Sequence, residues 1–361
     1  MKVAVFGATG VVGRAAAEHF STLGDCEVVA VSRRPVDIPR VMHVPVDLAD
    51  GGAVERAARS GSFSGTTHVV FAALQESADL VSGWRDEELM VHNLRLFRHA
   101  LEPLVAVTAD SLRHVSLLQG AKAYGLHLGR TPVPAKERAP RDVHQNFYFL
   151  QEDALRALAA GAPWTWTIFR PQVVFGESVG SPMNLVPAIG VYASVERARG
   201  RPLAFPGGPP GVHEAVDARL LARALAWAAD APEARGEIFN ITNGDVFSWP
   251  AVWPAIADVF GMEVGVPEGQ RLEESMPPRR DEWAAVVDRY ELTSPRDMAT
   301  FVGTSWTYAD ILFGAMGART LPALLSTVKI RHAGFAECID TEDMLRDWFT
   351  RLQHRRLLPP A

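Results

Sequence analysis

Apolar runs of strand length alternate with stretches of helical periodicity over the first 170 residues. Predicted strands cover residues 3–6, Glu27–Val31, Val44–Leu48, Thr67–Ala73, Leu112–Leu118 and Trp164–Phe169. Helical spacing of apolar residues predicts helices after Gly13, over Glu87–Leu101 and over Gln151–Ala160. This alternation predicts an α/β fold, a Rossmann-type doubly wound parallel sheet.

The pattern changes after the sixth predicted strand. Proline and glycine cluster in Gly200–Gly211, and a predicted helix and strand near 212–242 return to the sheet. We expect a first domain over residues 1–175 that includes this returning segment. Residues 176–211 and 243–361 are expected to form a smaller, mostly helical part that binds the substrate over the carboxyl ends of the strands.

Three glycines follow the first strand and precede the first helix. Gly7 allows a tight turn, Gly10 lets the backbone approach a phosphate, and Gly13 lets the helix pack closely on the strand. The amino end of a helix attracts anions because its first backbone N–H groups have no partner within the helix. The chain is therefore expected to begin with a dinucleotide-binding unit.

The second strand ends in Ser32, Arg33 and Arg34, where an NAD enzyme usually places an acidic residue. Two guanidinium groups suit a 2′-phosphate, so the sequence predicts NADPH (NADP⁺) as cofactor. The alternative is an exposed arginine pair on a solvated loop. After the third strand, Asp47 is expected to bond the adenine edge, and the small residues Ala72–Ala73 let the cofactor lie against the fourth strand.

Composition agrees with an intracellular enzyme. The chain has 361 residues, of which 48% are hydrophobic, and a formal net charge of −6, so nothing suggests a nucleic-acid or membrane partner. Cys26 and Cys338 are too few for a disulfide framework and lie in no metal-ligand pattern. With no signal peptide and no long apolar run, the expected location is the cytoplasm. A homodimer is compatible with the sequence.

The usual catalytic pair of short-chain dehydrogenases is missing. In that pair a tyrosine is followed four residues later by a lysine, on the same helix face. None of the five tyrosines has a lysine at that distance: Tyr124, Tyr148, Tyr192, Tyr290 and Tyr308. An ordinary carbonyl reductase or sugar-nucleotide epimerase is therefore disfavoured.

Lys122 and Tyr148 can replace that pair. Lys122 lies just past the fifth strand, beside the expected nicotinamide, and Tyr148 lies at the start of the helix that ends at Ala160. The chain has only four lysines against thirty-two arginines, so a lysine at this place is informative. The alternatives are a surface lysine and a packing aromatic.

The sequence resembles the progesterone 5β-reductase and iridoid synthase-like enone reductases, an atypical branch of the short-chain dehydrogenases. The similarity covers nearly the whole chain. It is carried by Gly7–Gly13, Ser32–Arg34, Thr67–Val69, Lys122–Tyr124, Asn146–Tyr148, Leu150–Asp153, Arg170–Pro171, Phe175–Gly176, Met183–Leu185, Val191–Ala193 and Phe239–Trp249.

The resemblance implies that Tyr148 and Lys122 are catalytic and that NADPH reduces the C=C bond of a small-molecule enone. Tyr148 would hydrogen-bond the carbonyl oxygen and stabilise the enolate, as an oxyanion hole does. The residues expected to contact the cofactor are Gly7, Thr9, Gly10, Val11, Val12, Gly13, Ser32, Arg33, Arg34, Asp47, Leu48, Ala72, Ala73, Gln119, Lys122, Tyr148, Pro171, Val173, Val174, Ser181 and Met183.

Two alternatives stay open. One is a carbonyl (1,2-) reductase that uses the same Tyr148, and the other is a sensor that binds NADPH without turnover. Plant members have a basic and a ring-bearing residue where this chain has Ala121 and Ala123. The enone itself, the stereochemistry of its reduction and the pathway are not specified by the sequence.

Overall fold

A computed structural model describes residues 1–129, 131–141, 143–315 and 323–361. The chain divides into two compact units, each made of three segments. The first unit comprises Met1–Gln172, Ala218–Thr242 and Ala323–Glu337, and the second comprises Val173–Asp217, Asn243–Pro322 and Cys338–Ala361. Residues 316–322, which belong to the predicted substrate-binding part, lie outside the described residues.

Seven parallel strands of the first unit form one sheet in the described chain, in the order β3-β2-β1-β4-β5-β6-β9. A parallel pair of β7 and β8 lies in the second unit. The strands are β1 (Lys2–Phe6), β2 (Glu27–Ser32), β3 (Val41–Pro45), β4 (His68–Phe71), β5 (His114–Leu118), β6 (Thr165–Pro171), β7 (Val173–Phe175), β8 (Ala215–Asp217) and β9 (Glu237–Ile241). This order confirms the predicted doubly wound sheet.

Helices connect the strands of the sheet and make up most of the second unit. They are α1 (Val11–Thr22), α2 (Gly51–Arg59), α3 (Leu80–Gly83), α4 (Glu87–Val107), α5 (Phe147–Ala159), α6 (Leu185–Ala198), α7 (Ala218–Asp230), α8 (Trp249–Val259), α9 (Leu272–Ser275), α10 (Arg280–Arg289), α11 (Met298–Val302), α12 (Ser305–Phe313), α13 (Val328–His332) and α14 (Thr341–His354). Among the described helices, none is both long enough and apolar enough to cross a membrane.

The central strands are apolar on both faces because helices cover both sides of the sheet. Every residue of β4 is buried, and Phe6, Phe71 and Phe97 pack together beside β1, β4 and α4. The carboxyl ends of β1, β2, β4, β5 and β6 lie at the same edge of the sheet because the strands are parallel. Loops that leave this edge carry the residues predicted to bind cofactor and substrate.

The third strand lies earlier in the chain than predicted. It covers Val41–Pro45 and pairs with β2, whereas the apolar spacing favoured Val44–Leu48. Val46 and Leu48 are buried although they follow the strand. Burial of loop side chains under α2 and α4 therefore produced an alternation that the sequence could not distinguish from strand pairing.

The second unit is mostly helical, as predicted. Its tryptophans fill the interior: Trp249 and Trp253 are both buried, and their rings lie 4.7 and 5.9 Å from that of Phe313. The ring of Trp283 stacks on Phe301 at 5.5 Å. These contacts agree with core filling.

Candidate active site

The glycine turn leaves room for no side chain at two of its positions. Gly7 has a φ of +83°, and a Cβ there would lie 2.8 Å from the backbone of Ala73. A Cβ on Gly13 would overlap the carbonyl oxygen of Gly7. Gly10 is the N-cap of α1 and supplies no side-chain bond to the first turn. The turn is thus a backbone cradle at the amino end of a twelve-residue helix.

The end of β2 carries the two predicted arginines on an exposed turn. Ser32 Oγ donates a 2.7 Å hydrogen bond to the carbonyl oxygen of Arg34, which fixes the backbone, while both Arg33 and Arg34 are exposed. Arg14 lies on the first turn of α1, and its guanidinium forms a 2.5 Å ion pair with Asp37. The sequence analysis did not predict this ion pair.

The ends of β3 and β4 hold further predicted cofactor residues of the first unit. Asp47 is exposed, and its carboxylate accepts a 3.0 Å bond from the N–H of Ala49, while Leu48 is buried. Ala72 donates its N–H to the carbonyl oxygen of Phe6 at 3.0 Å. This bond holds the backbone that follows β4 beside the glycine turn.

Lys122 lies in a 3₁₀ turn, Ala121–Tyr124, two residues after Gly120. Its Nζ forms a 3.0 Å ion pair with Oε1 of Glu76 and lies 4.9 Å from the centre of the Trp84 ring. The ring centre of Tyr148 lies 5.9 Å from the same Nζ. Burial lowers the pKa of Lys122, and the charge of Glu76 opposes that shift.

Asn146 ties the turn of Lys122 to the helix of Tyr148. Asn146 is the N-cap of α5, and its side-chain oxygen accepts a 3.0 Å hydrogen bond from the backbone N–H of Tyr148. Its Nδ2 donates a 3.0 Å bond to the carbonyl oxygen of Lys122. One side chain therefore bridges the backbones of the two predicted catalytic residues.

The Tyr148 hydroxyl lies over Gly120. A Cβ on Gly120 would lie 3.1 Å from that oxygen and 3.6 Å from the carbonyl oxygen of Pro171. Gly120 has an extended backbone, so the close approach of the phenol, and not the backbone angle, is what favours glycine here. The structure thus brings Tyr148, Gly120 and Pro171 together at the ends of β5 and β6.

A buried polar network lies beneath this edge. Gln119 Nε2 donates a 3.0 Å bond to the carbonyl oxygen of Tyr148, and Gln119 Oε1 accepts a 2.8 Å bond from Arg170. Arg170 also pairs with Glu152 at 3.4 Å. Burial alone would raise the pKa of Glu152, but Arg141, Arg170 and Arg156 outweigh it and hold that pKa below its usual range.

Tyr124 has a structural role. Its hydroxyl donates a 2.7 Å bond to Oδ1 of Asn240, and the Arg170 guanidinium lies 5.0 Å from its ring centre. Burial raises the pKa of Tyr124. The Tyr124 hydroxyl is thus engaged in a bond within the protein.

Thr9, Val11 and Val12 lie in the glycine turn and at the start of α1, whereas four other predicted cofactor residues belong to the second unit. Val173 and Val174 lie in β7, the carbonyl oxygen of Ser181 accepts a 3.1 Å bond from Ser305, and Met183 has a φ of +56°. Within the described residues, no group of His, Cys, Asp or Glu side chains could hold a metal ion.

Sequence reasoning missed Glu76 and Trp84 as partners of Lys122. Glu76 is 46 residues from Lys122 in the chain, so no local spacing pairs the two. The available signal for Glu76 was its position, a charged residue shortly after the end of the apolar strand β4. Asn146 was noted only as part of a motif, although an asparagine before a helix predicts an N-cap.

The sheet order and the glycine turn after β1 define a Rossmann-type fold like that of short-chain dehydrogenases. The model of the PRISE-like Rossmann-fold domain family matches residues 4–312. The chain belongs to this family, which confirms the resemblance seen in the sequence.

Two plant relatives and one solved structure illustrate the similarity. The chain is 30% identical to a 3-oxo-Δ(4,5)-steroid 5β-reductase of Arabidopsis thaliana, over 98% of this chain and 92% of the plant protein. It is 29% identical to an (S)-8-oxocitronellyl enol synthase of Nepeta racemosa, with the same coverage. A short-chain dehydrogenase/reductase superfamily protein of Agrobacterium tumefaciens with bound NAD has a TM-score of 0.64 at 16% identity, over 99% of this chain and 98% of that one.

Proposed function

We propose that the protein is an NADPH-dependent oxidoreductase that reduces the activated C=C bond of an enone, with Tyr148 and Lys122 as catalytic residues. The observation that carries the proposal is their geometry, with the Lys122 ammonium 5.9 Å from the Tyr148 ring and Asn146 bonded to both backbones. The 30% identity to a 3-oxo-Δ(4,5)-steroid 5β-reductase supports the same reaction class.

The cradle fits a nicotinamide dinucleotide. Gly7 and Gly13 exclude side chains from the turn, and α1 presents its amino end beside it. Arg33 and Arg34 are exposed where a 2′-phosphate would bind, which favours NADPH over NADH. When bound, NADPH supplies the hydride that adds to the β-carbon of the enone.

The protein's own task is to stabilise charge on the substrate oxygen. We assign the Tyr148 hydroxyl as the hydrogen-bond donor to the enone carbonyl, whose oxygen becomes that of an enolate when the β-carbon is reduced. A proton taken up from water at the α-carbon then completes the saturated product. The Lys122 ammonium favours this negative charge through its positive field. Both side chains are largely buried, and a buried site strengthens these interactions because water screens them less.

A role in substrate binding is proposed for the segments that follow β7 and β9, most of whose residues belong to the second unit. We assign residues 176–211 and 243–361 to the enone, and Val173, Val174, Ser181 and Met183 to the cofactor. A small-molecule enone is the proposed partner, and the cytoplasm is the proposed location. Cys26 and Cys338 are both free thiols, which agrees with a reducing compartment.

A panel of enones tests the proposal. The purified protein is incubated with a steroid enone, an acyclic terpenoid enal or a small cyclic enone, each with NADPH or NADH. Loss of reduced-cofactor absorbance measures turnover, and mass spectrometry identifies the product. With NADPH deuterated at the transferred position, NMR should find deuterium on the β-carbon of a saturated ketone or aldehyde.

The products separate the alternatives. An allylic alcohol with deuterium on the carbonyl carbon would show a 1,2-reductase and overturn the proposed reaction. Tight NADPH binding without turnover across the panel would favour a cofactor sensor. Equal use of NADH and NADPH would contradict the assignment of Arg33 and Arg34.

A further inference from the structure

Glu76 is a buried carboxylate with no place in the reaction proposed above. It lies in the loop between β4 and α3, and its side chain is only 3% exposed. Its Oε1 lies 3.0 Å from Nζ of Lys122. Together with Trp84, Asn146 and Phe147, the pair lines a small cavity at the carboxyl edge of the sheet.

Three aromatic rings also lie near the Lys122 ammonium. The Nζ lies 4.9 Å from the Trp84 ring centre and 5.9 Å from those of Phe147 and Tyr148. These ring faces attract a cation but do not replace the hydration lost on burial. Glu76 is the negatively charged group that compensates the ammonium here.

We propose that Glu76 is the positioning residue of Lys122, whose carboxylate fixes the ammonium beside the Tyr148 ring and keeps it charged. The effect of Glu76 on turnover rests on the function proposed above. Its effect on the position and charge of Lys122 does not. Glu76 acts through Lys122, to whose Nζ its carboxylate is bonded.

Other titratable groups also face this cavity. His127 lines it, and the His144 ring lies 5.1 Å from that of His127 and 3.2 Å, through Nε2, from Nδ2 of Asn146. The ring centre of Tyr148 lies 5.9 Å from Nζ of Lys122. None of these groups supplies a negative charge at neutral pH, so within the part of the chain that the structure describes, removal of the Glu76 charge leaves Lys122 without its bonded carboxylate.

Direct titration of Lys122 tests the proposal without any enzyme assay. The chain has only four lysines, Lys2, Lys122, Lys136 and Lys329, so lysine labelled with ¹³C at Cε gives four NMR signals. The Lys122 signal is assigned by its loss in Lys122→Met. Because burial already lowers the pKa of Lys122, we expect Glu76→Gln to lower it further, by about one to three pH units.

The matched control is Glu88→Gln, which removes an exposed carboxylate from the first turn of α4. It should leave the Lys122 titration unchanged. Glu76→Asp keeps the charge on a shorter side chain and should give a smaller downward shift, so it decides the question if Glu76→Gln does not fold. An unchanged Lys122 titration in the folded Glu76 variant would overturn the proposal.

The pH profile of enone reduction provides a second readout. If Lys122 must be charged for turnover, the alkaline limb of kcat/KM in Glu76→Gln moves to lower pH by the same amount as the NMR titration, and Glu76→Asp restores part of the shift. A uniform loss of rate at all pH values would contradict positioning through charge. If the wild type reduces no enone, the proposed function fails, while the NMR titration still decides the role of Glu76.

Discussion

The two ends of the same parallel sheet treat buried ionisable groups differently. At the carboxyl end, Lys122 pairs with Glu76, and Arg170 pairs with Glu152. At the amino end, His114 begins β5 with its side chain buried, and neither ring nitrogen has a hydrogen-bond partner within the described residues. The ion pairs at the carboxyl end stabilise buried charged side chains. The unpaired site at the amino end favours a neutral His114.

The neighbours of His114 make the difference plain. The His68 ring lies 6.4 Å away, and its own nitrogens lie close to Thr67 Oγ1, at 2.7 Å, and the carbonyl oxygen of Ala229, at 3.3 Å. Burial, with minor contributions from His68 and Arg235, lowers the pKa of His114 to about 3. A parallel sheet therefore tolerates an unpaired titratable group at its amino end at a cost in stability at acidic pH, whereas the carboxyl end pairs its charges.

The largest expected effect is at the carboxyl end. Tyr148→Phe should lower kcat for enone reduction by a factor on the order of 10² to 10³, because it removes one donor to a developing oxyanion. NADPH affinity, measured by fluorescence titration, should stay near the wild-type value because the ring still packs. If the variant keeps most of its activity, Tyr148 is a packing residue only.

Replacement of both arginines after β2 should have the next largest effect. Loss of a charge-assisted contact costs about 1.5–3 kcal/mol, so Arg33→Ala with Arg34→Ala should weaken NADPH binding roughly ten- to a hundredfold and leave NADH binding unchanged. Arg59→Ala, on the exposed face of α2, is the matched control. Equal losses for the two cofactors would show that the pair does not recognise the 2′-phosphate.

At the amino end, His114→Leu should change the pH dependence of stability. The folded pKa is about 3 and the ordinary value is 6.5, so between these values the unfolded chain binds a proton that the folded protein does not. Wild-type stability therefore falls as the pH falls through this window, by up to about 1.4 kcal/mol per pH unit from this group.

Urea unfolding at neutral pH and at about pH 5 measures this effect. The variant should gain stability relative to the wild type at the lower pH, while His354→Leu, at an exposed position, serves as the control. Parallel pH profiles for wild type and His114→Leu would show that burial of His114 does not govern acid stability.

The smallest expected effect tests the fit around Tyr148. Gly120→Ala places a methyl group 3.1 Å from the hydroxyl, which is closer than ordinary contact, so the phenol must shift by a few tenths of an ångström. We expect kcat to fall about tenfold, because misplacement of a catalytic group by about 1 Å costs roughly a hundredfold. Gly24→Ala, with open space around it, should leave kcat unchanged.

The sheet and its helices were predictable because their periodicities are local. The glycine turn and the start of α5 follow from residue types that lie side by side in the chain. β3 was displaced because the buried loop residues Val46 and Leu48 imitate strand alternation. The true bounds of β3 depend on which of its residues pair with β2. That pairing cannot be read from a single sequence.

The candidate site was predictable only in part. Lys122 and Tyr148 could be named as a pair from strand ends and family resemblance, and their catalytic roles stay predictions. The partners of Glu76 and Arg170, and the bond of Asn146 to the Lys122 turn, could not be predicted, since these contacts join residues between 18 and 51 positions apart in sequence. Contacts between residues so far apart in sequence can be identified only once the fold is known.

The segment order of the first unit has a consequence for biosynthesis. The turn that carries Lys122 also holds Tyr124, whose hydroxyl is bonded to Asn240 in β9, and Asn240 in turn donates to the carbonyl oxygen of Ser326. A ribosome must therefore synthesise most of the chain before these anchors exist. A nascent chain released before that point has the cradle but lacks the anchors of the Lys122 turn, so we expect it to engage chaperones.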